Sequence, residues 1–186
     1  MEVVEFSVWF WYSICIHEIL FKSVSMPSQV VKDCGIALEH KGYFVAFAES
    51  ATAGRMASEF ALLLQSRKIL KEGVVCYDAC IKEGLLKVPK ELIDKFTPES
   101  AEVTEALAQN IAKLISSDVQ VAVTGLTRRG GSENSSKPVG TMFLHVLIKG
   151  NPFRFRAVFD GSPKEIILQT ISQAAKLILN ELLESN

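Results

Sequence analysis

Three short stretches of this 186-residue chain bring together residue types that chemistry uses. The first is Glu49-Ser50-Ala51-Thr52-Ala53-Gly54, where a short apolar run gives way to a helical pattern. Free amides at a helix N-terminus bind anions, and small side chains let a phosphate or a carboxamide come close. The same residues also read as an ordinary tight turn. The second is Tyr77 with Lys82, just past another apolar run. A lysine serves as a general base only when burial or a nearby cation lowers its pKa from about 10.4; otherwise it is a surface charge. The third runs from Thr124-Gly125 through Gly130-Gly131-Ser132 to Lys137-Pro138-Val139-Gly140-Thr141. Glycines at positive φ let backbone amides cradle an anion, and Arg128 and Arg129 in this stretch could grip a phosphate; the alternative is a solvated surface loop. Cys76 and Cys80 flank the same strand end as Tyr77 and read as packing thiols.

Alternating helices and buried strands must position these segments. A helix capped by Ser25 or Ser28 is expected through about Lys41, with Val30, Cys34, Ala37 and Leu38 on its apolar face and Gly42 as its stop. Tyr43 to Ala48 reads as a buried strand, followed through the first segment by a helix to about Leu64. Val74 to Tyr77 is the next strand, with short helices over Ala79 to Leu86 and from Pro89 to Phe96. Thr97-Pro98-Glu99 predicts a helix start with Thr97 as N-cap, the helix running to about Ser116. Asp118 to Thr124 has no charge after its first residue, the mark of a central strand. Val139 to Ile148 and Phe153 to Phe159, joined through Lys149-Gly150-Asn151-Pro152, predict an antiparallel hairpin before a closing helix over Pro163 to Leu183. The fold class is therefore α/β, a three-layer α/β/α sandwich with a mixed, mostly parallel sheet and a C-terminal hairpin.

Composition narrows the function. Hydrophobic residues at 48% and charged residues at 22% describe a globular chain and exclude a disordered one. Lys and Arg (20) nearly cancel Asp and Glu (21), so no basic excess points to a nucleic acid. Cys15, Cys34, Cys76 and Cys80 lack the paired spacing and nearby histidines of a zinc site, so no metal is expected, and they read as reduced cytoplasmic thiols. Residues 1–25 stand apart, with an apolar stretch around Trp9, Phe10, Trp11 and Tyr12 after the acidic Glu2 and Glu5. Its uninterrupted core is about half the ~20 residues of a membrane span, and a secretory signal begins with basic residues, so no membrane partner is expected. This extension reads either as an extra N-terminal element or as a start assigned too early, with Met26 the true beginning; residues 26–186 read as one domain.

Taken in order, the segments resemble the CinA C-terminal domain family over residues 42–180. Ala48 to Gly54 is similar to the family's A-E-S-C-T-G-G, with alanines at 51 and 53. Gly73, Val75, Tyr77 and Lys82 match its G-x-V-x-Y strand and following lysine, and Lys87-Val88-Pro89 its G-V-P. Pro98 to Val103 resembles its V-S-x-E-V, and Val123 to Gly131 with Lys137 to Thr141 its glycine loop and K-P-V-G-T. The resemblance implies a homodimer or higher homo-oligomer, no cofactor, and hydrolysis of the amide of nicotinamide mononucleotide (NMN) to nicotinate mononucleotide and ammonia. In that reaction a serine attacks the carboxamide carbon, ammonia leaves, and water hydrolyses the acyl-enzyme, with a lysine taking the serine's proton.

On this reading Lys82, Tyr77 and Ser66 are the catalytic set. Glu49, Ser50, Thr52, Gly54, Thr124, Gly125, Gly130, Gly131, Lys137, Gly140 and Thr141 are the residues expected to hold the nucleotide. The chain also departs from the pattern. An ungapped count from Glu49 to Tyr77 sets Ser66 on the first serine of the family's G-S-S turn and Arg67 on the second, the nucleophile; a shift of one residue would bring Ser66 into its place. The family's F-x-G-D-R reads Phe159-Asp160-Gly161-Ser162-Pro163, without the arginine, and Arg128-Arg129 replaces a Gly-Pro pair. Three readings follow: the amide hydrolase, a non-catalytic relative binding a pyridine nucleotide or a partner protein, and an amidase for another small amide.

Overall fold

The buried runs of the sequence become one five-stranded sheet in the computed structural model, which describes residues 27–184. The extension 1–25, with the Ser25 cap and Met26, lies outside the described residues. In chain order the elements are α1 (Gln29–Lys41), β1 (Val45–Glu49), α2 (Arg55–Ala61), α3 (Ser66–Ile69), β2 (Leu70–Val75) and α4 (Ala79–Gly84). There follow α5 (Lys90–Phe96), α6 (Ala101–Leu114), β3 (Val119–Gly125), β4 (Thr141–Ile148), β5 (Asn151–Val158) and α7 (Pro163–Glu184). The sheet order is β2-β1-β3-β4-β5. β1 runs parallel to β2 and β3, whereas β4 runs antiparallel to β3 and β5, so β4 alone opposes the common direction.

Side chains alternate across a strand, and here each face is covered by helices. Phe47, Val121, Val123, Leu144 and Val146 pack with α1, α2 and α7 on one face. Ala46, Ala48, Ala122 and Leu147 face Val103, Leu107 and Ile111 of α6 on the other. The alanines leave room for that helix to sit close. β1 and β4 are buried along their whole length, which explains their uninterrupted apolar runs. Lys149 (φ 49°) and Gly150 (φ 84°) form a two-residue hairpin turn of the hand that matches strand twist. Asn151 and Pro152 belong to β5 rather than to the turn, and proline is tolerated there because β5 is an edge strand. No described helix is long and apolar enough to cross a membrane.

Two expected boundaries move. β2 begins at Leu70, not Val74, because Lys71 and Glu72 of this edge strand are exposed and break the apolar run. The long helix α6 begins at Ala101 with Ser100 as N-cap, its Oγ accepting from the Val103 amide at 3.3 Å. Thr97 is instead held at φ 72°, ψ 156°, since the following proline disfavours helical backbone at residue 97. The short helix α3 had no counterpart in the sequence pattern.

Beneath α6, His145 of β4 is 1% exposed, and among the described residues its Nε2 has no hydrogen-bond partner. It lies opposite Ala122 of β3 and Arg154 of β5, and Arg154 is paired with Glu105 of α6 at 2.7 Å. Burial pushes the imidazole pKa below its usual value; Glu105 opposes the shift and Arg154 adds to it. The folded chain therefore binds fewer protons here than the unfolded one. This contribution to stability is complete above about pH 6.5 and is lost as pH falls from there toward the lower folded value. Urea unfolding at about pH 7.5 and about pH 5.5 is expected to show a fall in midpoint that His145→Leu reduces.

Candidate functional site

β1 sends the chain outward to β2, and β3 sends it the opposite way to β4. In open α/β sheets such a switch point, at the carboxyl ends of the strands, leaves a crevice where ligands bind. A cleft of about 310 Å³ opens there. Ser50 and Ala51 after β1, Tyr77 after β2, Glu99 before α6, and Gly125 to Gly131 after β3 line it.

Glu49, the last residue of β1, turns away from the cleft and is fully buried. Its carboxylate accepts from Thr52 Oγ1 (2.6 Å) and from the amides of Gly54 (3.1 Å), Met56 (2.9 Å) and Ala57 (2.8 Å). The N-terminal amides of α2, expected to receive a ligand's anion, are thus occupied by the chain's own carboxylate. Glu49, Thr52 and Gly54 serve this cap and do not line the cleft. To make the turn, Ala53 takes φ 48°, a left-handed conformation at a position where the family spells glycine. Ser50 remains in the cleft, and among the described residues its hydroxyl has no hydrogen-bond partner.

Lys82 lies under the cleft, 1% exposed. Its Nζ donates to the carbonyls of Cys76 (2.8 Å) and Tyr77 (3.0 Å), tying α4 to the end of β2. Burial lowers its pKa, and Cys76, Glu99 and Asp78 oppose the shift. The Cys76 thiol beside it is pushed up to about 11, chiefly by burial, so it stays protonated and unreactive. Tyr77, by contrast, is 64% exposed. Ser66 opens α3 at the other end of β2, about 20 Å from Tyr77 by the rise of a six-residue strand. Within one chain the fold brings Tyr77 and Lys82 together and keeps Ser66 away.

The glycine loop carries a second internal carboxylate. Glu133 accepts from the amides of Gly130 (2.9 Å) and Gly131 (2.8 Å) at its Oε1 and Oε2. The Gly130 amide is the chief cause holding this carboxyl below the usual range, with Gly131 and Arg129 helping. Lys137, expected to touch substrate, instead staples the loop: Nζ donates to Thr97 Oγ1 (2.6 Å), Glu99 O (2.8 Å) and Ser132 Oγ (2.6 Å). Ser132 in turn donates to the Glu99 carboxylate at 2.6 Å, fixing Glu99 at the cleft wall. The Thr124 hydroxyl bonds Thr104 at 2.7 Å, and Thr141 donates to the Pro138 carbonyl at 2.7 Å. Gly140, at φ 94°, lets the Phe159 carbonyl pass where a Cβ would collide. None of Thr124, Lys137, Gly140 and Thr141 lines the cleft.

Of the expected residues the cleft gathers Ser50, Tyr77, Gly125, Gly130 and Gly131, with Lys82 beneath, and it presents Arg128 and Arg129 at its rim. Sequence reasoning missed Glu99 as a wall residue. A helix start at Thr97 places Glu99 in its first turn, and only the displacement of that start to Ala101 leaves the carboxylate beside the cleft.

A cleft at the carboxyl ends of a switch-point sheet, walled by a glycine loop, places the chain among the α/β domains with helices on both faces of a mixed sheet. The chain belongs to the CinA C-terminal domain family, whose model matches residues 27–182. It is 31% identical over 147 residues to a putative competence-damage inducible protein of Desulforudis audaxviator, covering 79% of this chain and 35% of that protein. It is 34% identical over 142 residues to a CinA-like protein of Geotalea uraniireducens, covering 76% of this chain and 34% of that protein. The chain thus spans about a third of the length of these curated relatives. A competence/damage inducible protein of Agrobacterium tumefaciens superposes with a TM-score of 0.77 at 25% identity, covering 84% of this chain and 99% of that one. A CinA superfamily protein of Klebsiella pneumoniae gives 0.79 at 22% identity, covering 84% and 97%, and shares the fold.

The cap and the strained alanine set opposite expectations. Glu49→Ala leaves three amides and a hydroxyl unpaired, so urea unfolding is expected to show a loss of about 3 kcal/mol or more. Ala53→Gly relieves the left-handed strain, and the same measurement is expected to show a gain of about 1 kcal/mol.

Proposed function

We propose that this chain binds a pyridine mononucleotide of the NMN type in the cleft and, as a single chain, holds it without hydrolysing its amide. The phosphate lies against Arg128 and Arg129, the two guanidinium groups at the rim. The ring lies toward Tyr77 and Ser50, and the Gly125–Gly131 backbone forms the opposite wall.

The observation that carries the second half is the bonding of Lys82. The described hydroxyls in the cleft belong to Ser50, Tyr77 and Thr127, and none is hydrogen-bonded to Lys82, whose ammonium is committed to two backbone carbonyls. With no hydroxyl of the cleft bonded to Lys82 Nζ, no nucleophile within one chain is placed to pass its proton to that amine. A second reading, amide hydrolysis, is favoured by the unpartnered Ser50 hydroxyl. Its oxygen would attack the carboxamide carbon, ammonia would leave with the serine's proton, and water would release the acid.

Calorimetric titration with NMN is expected to show binding. The double variant Arg128→Ala/Arg129→Ala is expected to weaken it by about tenfold, the loss of one or two charge-assisted bonds, while leaving binding of the phosphate-free riboside unchanged. Ammonia release at high protein concentration is expected to match a Lys82→Ala control. Turnover abolished by Ser50→Ala would establish the hydrolase reading instead.

A further inference from the structure

The cleft carries charge of both signs. Arg128 and Arg129 bring guanidinium groups to its rim, and Glu99, just before α6, brings a carboxylate to its wall. Glu99 is held there at two points. Its backbone carbonyl accepts from Lys137 Nζ at 2.8 Å, and its Oε2 accepts from Ser132 Oγ at 2.6 Å. Among the described residues Oε1 accepts no hydrogen bond, and it is open to solvent. Glu99 also forms no ion pair among them. Lys82 and Lys137 feel its charge, which opposes the fall that burial imposes on their pKa values. Both ammonium groups nevertheless donate to carbonyls and hydroxyls rather than to this carboxylate. The wall thus offers an anion with one oxygen uncommitted.

We propose that Glu99 sets the ligand specificity of the cleft: its carboxylate holds a cationic pyridinium ring and disfavours both a neutral ring and a ring that bears a carboxylate. This rests on the mononucleotide reading given above and adds to it the charge state of the ring. A ligand complementary to the cleft is an anion at one end and a cation at the other. N-glycosylation of a pyridine leaves a positive charge on the ring, so NMN has that character, with its phosphate at the arginines. Reduction to the dihydro form removes the ring charge, and conversion of the amide to the acid sets a carboxylate on the ring. Two unit charges about 4 Å apart interact several times more strongly at a half-buried wall than in bulk water. One carboxylate therefore attracts the amide-bearing cation and repels the acid. Ser50 and Tyr77 do not separate the two, because a hydroxyl donates to amide and carboxylate oxygens alike.

Calorimetric titration of the full chain with three ligands that share the ribose phosphate tests this: NMN, its reduced dihydro form and nicotinate mononucleotide. The unmodified chain is expected to bind NMN about tenfold more tightly than either of the others. Glu99→Gln removes the charge and keeps an oxygen for Ser132. It is expected to weaken NMN by about tenfold, to leave the dihydro form unchanged and to tighten the acid. Glu99→Asp keeps the charge and is expected to keep the preference for NMN. A loss in Glu99→Gln shared equally by all three ligands means that the residue only braces the loop, and overturns the proposal. An unmodified chain that binds all three alike overturns it too, while leaving the mononucleotide reading in place. An unmodified chain that binds none of them overturns that reading and this proposal with it.

Discussion

A buried carboxylate governs the working end of this domain. Glu49 closes the central strand β1 and folds under the start of α2, where it satisfies three amides and a threonine hydroxyl. A helix N-terminus carries partial positive charge, and in a low-dielectric interior an ionised group facing those amides is strongly held. The turn between strand and helix is thereby fixed, tightly enough to keep Ala53 in a left-handed conformation. Ser50 and Ala51 take their places at the lip of the cleft because Glu49 points the other way.

Glu133 repeats the arrangement in a different medium. It fills the Gly130–Gly131 nest as Glu49 fills the helix end, but at the surface, where water screens the charge. Glu133 is at the surface and Glu49 is buried, so of the two only the Gly130–Gly131 nest is open to exchange with solvent ions. Arg128 and Arg129 belong to the same loop and line the cleft, whereas the start of α2 is already filled by Glu49. The staple made by Lys137, Thr97, Ser132 and Glu99 holds the loop in place, with Thr97 Oγ1, on a residue at φ 72°, accepting from both Ser132 and Lys137.

Membership of the CinA C-terminal domain family accounts for the fold, and Tyr77 and Lys82 match the pattern that the resemblance implies. The departures concern chemistry. Where the resemblance implies a nucleophile, an ungapped count sets Arg67 and a one-residue shift sets Ser66; Lys82 is bonded to backbone carbonyls rather than to a hydroxyl. Ser50, Tyr77 and the Gly125–Gly131 wall remain together in the cleft.

The sequence by itself determined the layers. Apolar runs of strand length at 43–48, 118–124 and 139–148, separated by helical periodicity, leave few other ways to bury those faces, and Lys149-Gly150 marks the hairpin between β4 and β5. Such signals are local, because burial imposes its period on neighbouring residues. Tertiary structure decided the rest. The edge position of β2 hid its first half, since exposed Lys71 and Glu72 erase the apolar pattern. Glu49 and Lys137 sit within cleft-forming segments yet point away from the cleft, and nothing in their spacing foretold it. A polar side chain turns toward whichever donors or acceptors the fold brings within reach, and those came from residues as far away as Ala57 for Glu49 and Thr97 for Lys137. Ser66 lies one strand length from Tyr77 for the same reason: sequence counts residues, while a strand converts them into distance.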